Sequence, residues 1–132
     1  MTLVAMTGVT AMSRDFAASI DVNGVLYPAK EIKDWFDTSD IVHISNENSF
    51  WPDCPPPPAN RGAFCSAPEY WELLKSIGTD VIELTGNHLN DYGPEPLKYT
   101  LDLYDREGIP YFGGGRTITE ATRLITLTNN GN

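Results

Sequence analysis

Five short runs rich in β-formers, separated by stretches of helical pattern, constrain this chain more than any other feature of its sequence. Residues 2–7, 40–45, 80–85, 109–112 and 123–128 carry branched and aromatic side chains bounded by Gly, Asn or Asp, and read as strands. The first is expected to stop at Gly8. Helices are expected over 13–20, over 28–36 with Ile32, Trp35 and Phe36 on one face, and from Ala67 onward. Ser66-Ala-Pro-Glu69 has the form of a capping box, with Tyr70, Leu73, Leu74 and Ile77 as the buried stripe and Gly78 as the stop. Gly93-Pro94 opens a further helix with Leu97, Leu101 and Tyr104 on one side, closed by Gly108. One more helical turn is expected at 119–122. Strands that alternate with helices of this length pair in parallel through βαβ crossovers. The fold class is therefore α/β with a mostly parallel sheet, in a single domain.

Eighteen Asp and Glu against nine Lys and Arg give a net charge of -9. Such a field repels phosphate backbones and anionic headgroups, so nucleic acid is excluded as a partner class. No apolar stretch approaches the roughly 18–20 residues that span a bilayer, and no leader-like pattern opens the chain. Residues 46–65, with four consecutive prolines, are expected to be an irregular surface excursion. Cys54 and Cys65 flank most of it; a disulfide closing that loop is geometrically possible but not implied, and two free thiols are favoured over it. Asn129-Asn-Gly-Asn132 after a strand has the form of a tight hairpin turn. A turn with no returning strand reads as the end of an N-terminal piece of a longer protein.

Ligands of parallel sheets collect at the carboxyl ends of the strands. Four segments meet there: Gly8, Thr10 and Arg14; Asn46-Glu47-Asn48; Gly86-Asn87-His88 with Asp91; and Gly113-Gly-Gly115 with Arg116. Asn87 and His88 offer an amide oxygen and an imidazole nitrogen to a metal or a developing charge. Asp91, three residues on, has the spacing to fix the imidazole tautomer. Glu47 is a hard oxygen ligand or general base, Asn46 a neutral oxygen, and Arg14 and Arg116 are candidate grips for phosphate or carboxylate. His43 reads as a packing residue. The glycine triplet lacks the pattern of a phosphate loop and reads as permissive backbone.

Thr7-Gly-Val-Thr-Ala-Met-Ser-Arg14, Asp40-Ile-Val-His-Ile-Ser-Asn-Glu47, Thr85-Gly-Asn-His-Leu-Asn-Asp-Tyr-Gly93 and Gly108-Ile-Pro-Tyr-Phe-Gly-Gly-Gly-Arg-Thr-Ile-Thr-Glu-Ala121 together resemble the N-terminal motifs of the bacterial capsule synthesis protein CapA family. The resemblance implies a role in poly-γ-glutamate capsule synthesis and the first half of a metallophosphatase-like α/β/β/α sandwich. It also implies a divalent-metal cleft lined by Asn46, Glu47, Asn87, His88 and Asp91. The family usually has Gly-Asp after its first strand, with that Asp a presumed ligand, where this chain has Gly8-Val9. Three readings follow: a metal-dependent hydrolase acting on an anionic polymer, a noncatalytic polymer- or peptide-binding module, and a phosphoesterase for a small-molecule substrate.

Overall fold

The structure is a computed structural model that describes residues 1–57 and 62–131. Four strands form one parallel sheet: β1 (Val4–Thr10), β2 (Ile41–Asn46), β5 (Val81–Glu83) and β6 (Tyr111–Phe112), in that spatial order. The connections are α1 (Arg14–Asn23) and α2 (Lys33–Asp37), then α3 (Trp71–Ser76), then α4 (Pro94–Glu107), with α5 (Ile118–Ala121) after β6. Every crossover steps in the same direction across the sheet, and right-handed crossovers of that kind place all their helices on one face. The core agrees: Val42, Ile44, Ile82, Leu84 and Tyr111 pack with Ala17 and Ile20 of α1, Leu73 and Leu74 of α3, and Leu101 and Tyr104 of α4. Among the described residues no helix is long and apolar enough to cross a membrane.

The opposite face is open along β1 and covered toward its centre, where Val81 and His43 are buried. Register places Val4, Met6, His43, Val81, Glu83 and Phe112 there, and Val4 and Met6 are 46% and 68% exposed. Residues 123–128 run past this face without pairing, lining a cleft with Val81 and Phe112 through Leu124, Ile125 and Leu127. The expected fifth strand is thus an extended strap. Its far end is held by polar contacts, with Asn129 Nδ2 donating to Asp40 O at 3.4 Å and Asn130 Nδ2 to Asp40 Oδ1 at 3.2 Å. Alternation of Ile125 and Leu127 with Thr126 and Thr128 describes a half-buried extended chain equally well, so the pattern does not specify a ladder partner. The hairpin-like turn is present, with φ of 50° at Asn130 and 77° at Gly131.

Other expectations are corrected by the packing. β1 runs past Gly8 to Thr10, because a register shift between Met6 and Val9 absorbs the glycine. Residues 28–36 split into a 3-10 turn (Tyr27–Ala29) and the short α2; Phe36 packs against the core as expected, with Ala29 buried beside it, but Trp35 is 73% exposed. α3 is preceded by a 3-10 turn (Pro68–Tyr70), and Ser66 caps nothing: its hydroxyl lies 2.9 Å from Met12 O and 3.2 Å from Asn48 Oδ1.

The proline-rich excursion is ordered at both ends. β3 (Ser49–Phe50) pairs in parallel with β4 (Cys65–Ser66), and Phe50 is fully buried edge-on against Trp71 and Tyr104. Cys54 and Cys65 form a disulfide, with Cα atoms 5.7 Å apart. Free thiols were the favoured expectation; parallel pairing of β4 with β3 brings the two cysteines together, a long-range contact that loop spacing does not encode. A closed loop of this size contributes about 3 kcal/mol in the chain-entropy picture.

The two faces of the sheet predict different sensitivities. Ile82→Ala, at a fully buried central position, should cost about 3 kcal/mol in urea unfolding, whereas Val4→Thr should stay within about 0.5 kcal/mol.

Candidate functional site

Parallel pairing carries the ends of β1, β2 and β5 to one edge of the domain. Glu47 N donates to Thr10 O at 2.9 Å, and Asn48 bridges to His88, so the segment after β2 lies between the other two. Gly86 makes this approach possible: a Cβ there would stand 2.5 Å from Glu47 Cα and 2.6 Å from Glu47 O. Any side chain at 86 would drive the Glu47 and His88 segments apart. Gly114 and Gly115 also serve packing, since a Cβ would meet Leu84 Cβ at 2.8 Å and Ala121 N at 2.6 Å respectively.

His88 is oriented from both sides. Its Nδ1 lies 2.7 Å from Asp91 Oδ2, which fixes the proton on Nδ1, and Asn87 Nδ2 then donates to Nε2 at 3.3 Å. Nε2 is therefore the unprotonated nitrogen, at the rim beside Asn87. Phe64, a residue the motif spacing did not single out, packs its ring against the imidazole at 4.2 Å between centroids, and its backbone N–H donates to Asp91 Oδ2 at 2.7 Å. Arg14 places its guanidinium carbon 4.3 Å from the centre of the same Phe64 ring. Arg14 does so from a left-handed backbone, φ 53°, which costs an arginine roughly 1–2 kcal/mol. Strain of this kind concentrates at functional sites.

Asn46 lies behind this rim, fully buried. Its Nδ2 donates to Asn48 O at 2.8 Å and to Tyr104 Oη at 2.9 Å, while its Oδ1 has no partner among the described residues. Burial drives the Tyr104 phenol far above its ordinary range, so this anchor stays neutral. The Glu47 carboxylate makes no hydrogen bond among the described residues.

The structure thus gathers Arg14, Asn46, Glu47, Asn87, His88 and Asp91. It does not bring Arg116 to them. That guanidinium bonds Asp102, Asp105, Glu120 and the Tyr111 hydroxyl at 2.6–3.0 Å, joining α4, β6 and α5. Its partners hold it firmly protonated, and the Tyr111 hydroxyl, followed by the Arg116 amide and guanidinium, lowers the Glu120 carboxyl. Tyr111 itself is pushed up to about 12, by burial first and then by Glu120. His43, on the sheet face away from the helices, is buried beside Phe112, lies 3.3 Å from Glu83 and packs there as expected.

The donor set has a clear chemical character. Among the described residues no three His, Cys, Asp or Glu side chains gather, and Val9, 69% exposed, occupies the end of β1. A carboxylate, one imidazole and amide oxygens remain, together with the orphaned buried Asn46 Oδ1. Those donors are too few and too weakly charged for a two-metal centre, and at most a single cation could share them.

An α/β domain with a parallel sheet and an Asn-His pair, backed by Asp, at its strand ends defines the class. The chain belongs to the bacterial capsule synthesis protein PGA_cap family, whose model matches residues 3–132. No curated protein matches the sequence significantly.

Two outcomes test this geometry. Tyr104→Phe should cost about 1–2 kcal/mol in chemical denaturation, since Asn46 Nδ2 loses one of its two buried partners. Arg116→Met should cost about 1 kcal/mol at pH 7. Glu120 titrates lower in the folded chain, so its stabilisation is complete above the ordinary glutamate value of 4.5 and is lost as pH falls below it. The difference in thermal midpoint between wild type and Arg116→Met should accordingly shrink on acidification through that range.

Proposed function

We propose that the strand-end cluster binds an anionic group, phosphate or carboxylate, of a capsule polymer or its precursor, with one divalent cation held by Glu47, Asn87, His88 and the Asn46 amide oxygen. The observation that supports this most is the orientation of His88: with Nδ1 bound to Asp91, Nε2 faces the rim beside Asn87. When bound, the cation would supply the positive charge that polarises a phosphoryl or carbonyl oxygen. It also answers the charge problem, because a chain of net charge -9 and an acidic polymer repel unless a cation bridges them.

This chain's own residues supply the remainder. Asp91 holds the imidazole ring in place and keeps the proton on Nδ1, so that the Nε2 lone pair is presented to the rim as a ligand. Glu47, without a protein partner among the described residues, is available to orient or deprotonate water. Arg14 sets a fixed positive charge beside the rim. A metal-dependent hydrolysis of the polymer is the fullest form of this reading. Val9 at the end of β1 favours a second, in which the cleft holds the polymer without cleaving it.

Calorimetric titration with manganese should give a single site, weakened about tenfold or more by His88→Ala and by Glu47→Ala. Binding unchanged by both substitutions would remove the cleft assignment. Turnover of a γ-glutamyl peptide or a phosphodiester, abolished by His88→Ala, would select hydrolysis over retention.

A further inference from the structure

Phe64 touches both sides of the rim. Its amide and the His88 imidazole share the same Asp91 oxygen, Oδ2, at 2.7 Å each. Its ring packs on His88 at 4.2 Å and carries Arg14 at 4.3 Å. A cation over an aromatic face and an imidazole against the same ring fix three side chains relative to one another. What holds Phe64 is local: it precedes Cys65, which is buried, paired with β3 through a ladder of only two residues, and bonded to Cys54. A ladder that short is a weak restraint alone.

We infer that Phe64 is a positioning residue for His88 and Arg14, and that the Cys54–Cys65 disulfide holds it in place, so that anion binding at the strand ends depends on the oxidation state of the two cysteines. This rests on the anion-binding reading above for its consequence, and on contact geometry alone for its mechanism. Reduction by a dithiol delivers two electrons and two protons: the S–S bond breaks, Cys54 and Cys65 become thiols, and the reagent leaves as its own disulfide. Without that bond the segment is held on its C-terminal side only, by the short ladder and the Ser66 contacts; the Phe64 amide then leaves Asp91 and its ring leaves Arg14.

The chain has two histidines, so their ring-proton resonances at one fixed pH separate a local change from a global one. His88 should shift in Phe64→Leu, in the Cys54→Ser/Cys65→Ser double variant and in the dithiol-treated wild type. His43, on the other face of the sheet, should not. Affinity for inorganic phosphate should fall about tenfold in the same three samples and return in Phe64→Tyr. Phe64→Leu keeps the disulfide and remains decisive where reduction unfolds the chain. His88 resonances unmoved in Phe64→Leu would overturn the positioning role; resonances moved there but unmoved on loss of the disulfide would overturn the redox dependence. Shifted His88 resonances with no phosphate binding in any form would overturn the anion-binding reading and the redox-dependent affinity, leaving the positioning role supported.

Discussion

The bond from Asn46 Nδ2 to Tyr104 Oη ties the end of β2 to the last turn of α4, and the remaining architecture is arranged around that link. Tyr104 is fully buried and packs against Phe50, Trp71 and Tyr111, so it joins the excursion after β2, the third helix and the last strand in one aromatic cluster. A neutral phenol is suited to this place because it packs like a hydrocarbon and still accepts the amide proton. With Asn46 fixed, Asn48 reaches the His88 segment and Glu47 is left facing outward beside it. The site is thus an extension of the core: its donors stand on chain segments whose buried neighbours have little freedom to move.

Charge separates the two arginines that the sequence placed at strand ends. Arg116 is surrounded by acids from α4 and α5 and closes the corner at which β6 leaves the sheet. Arg14 has an aromatic ring as its neighbour and, among the described residues, no carboxylate bonded to it, which leaves its charge available to a ligand. Motif order treats both alike; the acidic residues at Asp102 and Asp105, a helix away in sequence, decide between them.

Local pattern was a sound guide where local physics decides. The buried stripe of Tyr70, Leu73, Leu74 and Ile77 is present, and Gly78 and Gly108 take the left-handed φ values of 75° and 71° that end their helices. The His88–Asp91 pair was legible because three residues on one tight turn meet regardless of the rest of the chain. The features that escaped depend on contacts distant in sequence. Ser66 looked like a cap and became a bridge between Met12 and Asn48; Cys54 and Cys65 were joined through a ladder that no periodicity announces. Phe64 lay unnoticed in a proline-rich loop because its value comes from Arg14 and Asp91, which are 50 and 27 positions away.

β1 is an edge strand, and the thirteen residues from Met1 to Ser13 include no charged side chain. Unpaired backbone along an uncharged edge is a template for strands of other molecules. Mutual repulsion of chains bearing nine excess negative charges opposes such pairing. That repulsion is long-ranged and fades within about 8 Å at physiological ionic strength, whereas hydrogen bonding along the edge is insensitive to salt. The chain's behaviour in solution is therefore a colloidal balance, in which dilute buffer favours dispersion and concentrated salt favours association through the first strand.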